Sequence, residues 1–167
     1  MATPTTLPAT FVAGDVLTAA QMNNLRGAFR VLQVVTANYA VQTLNSTVTY
    51  ADTGLTATIT PTSTSSKVAV IIQQSGVAKL AGNIGSCCRL QLLRGASNLG
   101  VFQVDAGYTG TSVDNYIGGC GFTYLDSPGS VAALTYKTQF ANAVAASAAI
   151  VQNSSSISSI TLLEISA

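Results

Sequence analysis

The chain has no histidine and no tryptophan, and in 167 residues it carries only six acidic and seven basic side chains and three cysteines. Without histidine there is no Ser-His-Asp or Cys-His catalytic unit, because imidazole is the base in both. None of the lysines sits in a Ser-x-x-Lys arrangement. Six scattered carboxylates do not nominate the facing acid pair of a glycosidase. No GxxxxGK[ST] motif is present, and Gly118-Gly119-Cys120-Gly121 lacks the strand–turn–helix setting of a phosphate-binding loop. The basic residues are dispersed, whereas binding to nucleic acid needs converging cations. Three cysteines, two of them neighbours (Cys87, Cys88, with Cys120 beyond), read as buried thiols rather than a disulfide or a metal site. No metal and no cofactor is expected, and the chain is not expected to be an enzyme.

Membrane and export signals are also missing. The N-terminus lacks a basic region followed by an apolar core, so cytoplasmic synthesis without a signal peptide is expected. The apolar-looking stretch Val131–Val151 is broken by Lys137, Gln139 and Asn142, so no membrane insertion is expected. Charged residues make up 8% of the chain, where about a quarter is usual. A soluble monomer ordinarily needs more charge to stay dispersed, so much of the surface is expected to be covered by other subunits.

What is present begins with an arm, MATPTTLPAT, and one amphipathic segment. Thr18-Ala19-Ala20-Gln21 fits a capping box, and Leu17 before the cap with Met22 after it fits a hydrophobic staple. Met22, Leu25, Phe29 and Leu32 then recur at steps of three and four, one helical stripe. A helix this short is marginal in water and needs a surface to pack on. Leu17, Met22, Leu25, Phe29 and Leu32 are therefore the expected docking face, with Val31 to Ala40 as a connection to the body.

From Asn38 onward the pattern is period two with turns. A strand at Thr47–Tyr50 is expected to lead into an Asp52-Thr53-Gly54 turn, and Leu55 to Thr60 alternates up to Pro61. Lys67 to Gln74 is a dense β-branched run with the character of a central strand. Gly95-Ala96-Ser97-Asn98 reads as a hairpin turn between Ser86–Arg94 and Leu99–Val104. Gly107–Ser112 is a loop. Tyr116 to Tyr124 is a glycine-rich strand with a bulge or close approach at Gly118, Gly119 and Gly121. Asp126-Ser127-Pro128-Gly129 is a turn. Leu134, Tyr136, Thr138 and Phe140 share one face of the next strand. Gln152–Ser156 turns into a closing strand, Ile157–Ile165. Asp52, Asp105 and Asp126 read as turn residues, and Asp105 with Asp114 and Asn115 lacks any EF-hand spacing. About eight strands with a turn every ten residues or so make an antiparallel sandwich or jelly roll. The expected organisation is an arm and anchoring helix over 1–36 and a jelly-roll domain over 37–167.

The segment Ala13-Gly14-Asp15-Val16-Leu17-Thr18-Ala19-Ala20, with Asn23 and Asn24, resembles an N-terminal segment of structural proteins of tailed bacteriophages. The body is similar to a phage jelly-roll module of the tumour-necrosis-factor/C1q type. That likeness runs through Asp52-Thr53-Gly54-Leu55, Ile59-Thr60-Pro61, Ser66-Lys67-Val68, Leu93-Arg94-Gly95, Leu125 to Gly129, Thr135-Tyr136-Lys137 and Ser159 to Ile165. The resemblance implies a non-enzymatic virion protein, trimeric, with apolar and small residues along the threefold axis and other virion proteins as partners. A minor tail or tail-tip protein is the first expectation and a capsid decoration protein the second. A third is a host receptor- or carbohydrate-binding module, with loops 81–86, 107–116 and 126–130 and residues Tyr108, Asp114 and Tyr116 as its site.

Overall fold

The computed structural model describes residues 30–166, which form ten strands in two antiparallel sheets packed as a β-sandwich. In chain order these are β1 (Val31–Tyr39), β2 (Thr43–Asn45), β3 (Ala51–Ile59), β4 (Lys67–Lys79), β5 (Cys88–Arg94), β6 (Ser97–Ala106), β7 (Asn115–Asp126), β8 (Leu134–Asn142), β9 (Ala149–Val151) and β10 (Ser158–Ile165). One sheet runs β1-β10-β4-β7, and β2 and β9 continue the lines of β1 and β10 toward one end. The other runs β3-β8-β5-β6. The main pairs are nested: β1 with β10, β3 with β8, β4 with β7, β5 with β6. A long hairpin rolled on itself gives this jelly-roll-like order.

Alternation places one residue in two inside. Leu55, Ala57 and Ile59 of β3, Val68, Val70 and Ile72 of β4, Tyr136 of β8, and Ile160 and Leu162 of β10 build one apolar cluster. A second, toward the β2–β9 end, holds Val77, Cys88, Leu90, Ala106, Phe140, Ala149 and Val151. A buried polar chain links the two sheets. Thr53 and Thr138 hydroxyls lie 2.6 Å apart, Thr138 Oγ1 donates to Gln74 Oε1 (2.9 Å), and Gln74 and Gln152 amides both donate to Ser158 Oγ (3.0 and 3.1 Å). Such side chains are tolerated inside because most of their polar atoms pair with one another, Gln152 Oε1 being left without a partner.

Most strand expectations hold, including β4 as a central strand, the Gly95-Ala96 hairpin turn and the glycine-rich β7. The register of β7 against β4 slips at Gly118, whose φ is +86°, as expected for a bulge. Four expectations change. Thr47–Tyr50 is bend rather than strand. Asp52-Thr53-Gly54 is not a turn; it is a bulge inside β3, where the pairing with β8 skips from Asp52 to Thr56. Gly54 has φ +89° there and lies under the Tyr39 ring, where a Cβ would come within 2.2 Å of Cε1. Val31 to Ala40 is not a connection: β1 occupies Val31–Tyr39 and pairs with β10 along nearly its whole length. Leu32 thus belongs to a strand, at a slip in register between Val31 and Gln33, because ladder hydrogen bonds to β10 outweigh its helical spacing. Finally, Asp126 is 6% exposed, accepting from Arg94 Nη1 (2.6 Å) and Tyr136 Oη (2.7 Å), so it is a buried anchor more than a turn residue.

Candidate functional site

Both ends of the described chain lie at one end of the sandwich, where Arg30 N donates to Ser166 Oγ (3.1 Å) and Ser166 N to Arg30 O (2.9 Å). Loops 60–66, 95–96 and 127–133 share this proximal end, fixed by the pairings Ile59↔Leu134, Val68↔Asp126 and Arg94↔Ser97. Loops 46–50, 80–87, 107–114 and 143–148 form the opposite, distal end, fixed by Lys79↔Asn115, Cys88↔Asn142 and Asn45↔Ala149. The three loops expected to make one binding site are therefore divided. Loops 81–86 and 107–116 come together, and loop 126–130 sits at the far end of the molecule.

The distal loops are tied by polar contacts. Ala81 N donates to Asp114 Oδ1, Ser147 Oγ to the Leu80 and Ala81 carbonyls, and Asn142 Nδ2 to Ser86 Oγ and Ser147 O. Lys79 is fully buried and donates from Nζ to Thr111 O (2.6 Å). Tyr108 lies in the loop and Tyr116 in the first turn of ladder of β7, and both are exposed. Asp114 is exposed too, with Tyr116 Oη 3.4 Å from Oδ2. Asp105 is turned toward the Cys87 thiol (3.7 Å), which burial and then this carboxylate push up. Among the described residues no three His, Cys, Asp or Glu side chains gather to hold a metal, and no helix is long and apolar enough to cross a membrane.

The two outer faces of the sandwich differ in chemistry. On the β3-β8-β5-β6 sheet a chain of side-chain hydrogen bonds crosses all four strands. Asn98 donates to Gln91 (2.7 Å), Gln91 to Gln139 (2.9 Å) and Gln139 to Asp52 (2.7 Å), with Lys137 Nζ also 2.9 Å from the Asp52 carboxylate. This face is mostly polar, with Val101 of β6, paired with Gln91, 46% exposed on it. On the β1-β10-β4-β7 sheet the register sets out three rows: Val34-Leu163-Ala69-Leu125, Thr36-Thr161-Ile71-Thr123 and Asn38-Ser159-Gln73-Gly121. No charged residue stands in them, and Lys67 lies at the proximal rim beyond. Val34, Ile71 and Leu125 are 59%, 43% and 53% exposed. Sequence spacing did not nominate this face, although the signal is there: β4 and β10 carry apolar residues on both sides (Val68-Ala69-Val70-Ile71-Ile72; Leu162-Leu163), a pattern of strands covered twice. Of the expected docking residues, Leu17, Met22, Leu25 and Phe29 lie outside the described residues, and Leu32 is 39% exposed on β1 beside this face.

No protein-family model matches the chain, and no curated protein matches it. Among solved structures it is similar in fold to the infectious bursal disease virus VP2 subviral particle, at 11% identity and TM-score 0.44 over 80% of this chain and 36% of that one. The structure of infectious bursal disease virus strain Gx gives 11% identity and TM-score 0.42 with the same coverage. The chain thus spans little more than a third of the solved structures it matches.

Proposed function

We propose that this protein is a non-enzymatic structural protein of a tailed-phage virion, a trimer that associates through the outer face of the β1-β10-β4-β7 sheet. The observation that carries this reading is the contrast between the two outer faces. One spends its polar groups in a ladder open to water; the other presents Val34, Ile71, Leu125, Leu163 and Ala69 without a charge. An apolar row on an uncharged face, in a chain with so little charge, favours burial against another subunit. Small residues in the rows (Ala69, Gly121, Thr123, Thr161) permit close approach between copies. The trimer itself and the virion setting rest on the sequence likeness to phage jelly-roll modules.

The N-terminal arm and amphipathic segment dock the trimer to a neighbouring virion protein, with Leu17, Met22, Leu25 and Phe29 as the contact stripe. Both ends of the described chain leave from the proximal end, so a protein anchored there holds its distal loops outward. A minor tail or tail-tip position is the first reading and a capsid decoration position the alternative. Light scattering on the purified chain is expected to give a trimer; a monomer at micromolar concentration would refute the assembly face. Removing residues 1–29, which leaves β1 intact, is expected to preserve the trimer and abolish incorporation into virions. Antibody-labelled electron microscopy then separates tail tip from capsid shell.

A further inference from the structure

We infer that the distal tip binds neutral carbohydrate, with Tyr108 and Tyr116 as stacking surfaces and Asp114 as acceptor for sugar hydroxyls. Lys79, fully buried, gives its ammonium to a single loop carbonyl, Thr111 O at 2.6 Å. Burying an ammonium is costly unless it is hydrogen-bonded, so Lys79 holds Thr111 O in place. Asn115 Nδ2 holds Gly107 O (3.2 Å), Tyr108 N donates to Asp105 O (3.1 Å), and the Thr109 and Thr111 hydroxyls lie 2.9 Å apart. Asp114 Oδ1 receives Ala81 N, which locks this loop to its neighbour. Loop 107–114 is thus held in one shape before any ligand arrives, which lowers the entropic cost of binding.

What the loop holds out has a specific chemistry. Tyr108 and Tyr116 are each 56% exposed, beside Val113 at 52% and Ile84 at 62% on the adjoining loop. Tyrosine offers a large rigid face at little conformational cost. Loop 107–114 itself carries one charge, the exposed carboxylate of Asp114, while Lys79 of β4 beneath it is buried. Phosphate, sulfate, acidic sugars and anionic lipid are therefore disfavoured. Asp114 Oδ2 has only the long approach of Tyr116 Oη (3.4 Å), so it remains able to accept from a ligand. A pyranose answers all three features, with an apolar C–H face for a ring, hydroxyl donors for a carboxylate, and no charge. The tip lies at the end away from where the described chain begins and ends, so it stays accessible when the molecule is anchored proximally.

The test uses the full-length protein on an array carrying both neutral and acidic glycans, followed by titration of the strongest neutral oligosaccharide. Binding to neutral glycans is expected. Tyr108→Ala and Asp114→Asn should each weaken it about tenfold, the loss of one aromatic or charge-assisted contact, with melting temperature and oligomeric state unchanged. Tyr116→Phe reports on the ring alone and should retain most of the affinity. No neutral glycan bound, binding confined to acidic glycans, or affinity indifferent to Tyr108 and Asp114 would each overturn the inference. Light scattering on the same samples reads the assembly face separately, so failure at the tip and failure of the trimer are distinguishable.

Discussion

Glu164 shows what one residue does in a chain with so few charges. It is fully buried on β10, where Oε2 accepts from Gln33 Nε2 (2.7 Å) and Oε1 from both Thr62 N and Thr62 Oγ1 (2.7 Å each). Burial acts to raise its pKa; the hydrogen bonds from Gln33, Ser66 and Thr62 outweigh it and hold the carboxyl down to about 2, from an ordinary 4.5. The folded-state value is the lower one, so the stabilisation is complete above the ordinary value and is lost as pH falls from 4.5 toward 2. Glu164→Gln is expected to destabilise the fold at neutral pH and to flatten the acid limb of stability, read by urea denaturation across pH. Tyr136→Phe removes the phenol that donates to Asp126 and leaves Arg94 as the partner. It should cost about 1–2 kcal/mol, read the same way. Neither carboxylate announces its role in the sequence. Asp126 stands in a Leu-Asp-Ser-Pro-Gly run that describes a turn well, and its partners come from β5 and β8.

At the level of elements, the strands were legible wherever one face alone is buried. Leu55-Thr56-Ala57-Thr58-Ile59 alternates apolar with threonine, and burial follows residue by residue. Alternation fails to report what happens at a bulge. Asp52-Thr53-Gly54 has turn composition, yet the positive φ of Gly54 serves a kink in β3 beneath Tyr39 of β1. Gly54→Ala should cost at least about 2 kcal/mol, from the left-handed conformation together with displacement of the ring. A Tyr39→Leu change in the same background should recover part of it, which denaturation of the double variant measures. β1 shows the opposite failure. Val31, Leu32, Val34 and Val35 are β-branched or apolar, yet the helical spacing from Met22 extends through Leu32. The contest was decided by β10, whose open edge offered a ladder of eight paired positions.

For the whole molecule, the arrangement of faces is what bears on function. The β1-β10-β4-β7 sheet turns an uncharged surface outward, and its apolar row is centred on Leu163 and Ala69. Leu163→Lys, or Ala69→Lys, places a cation in the middle of that row. Either is expected to shift the proposed trimer to monomer in light scattering while the sandwich keeps its melting transition. The corresponding change on the opposite sheet, Gln139→Lys, should leave the oligomer intact.

The sequence alone determined the class of the fold, the inward-facing residues of most strands, most of the turn sites and the exclusion of histidine-dependent chemistry. These are local properties, read from alternation over a few residues and from which side chains are absent. The tertiary structure decided which strands are neighbours. It therefore decided that Glu164 meets Gln33 and Thr62, that loops 81–86 and 107–116 meet while 126–130 does not, and that apolar residues from β1, β4, β7 and β10 align in one row. The reason is sequence distance. β1 and β10 pair across most of the chain, and contacts so far apart are set by how the whole hairpin rolls and buries its two clusters, which no short window of residues contains.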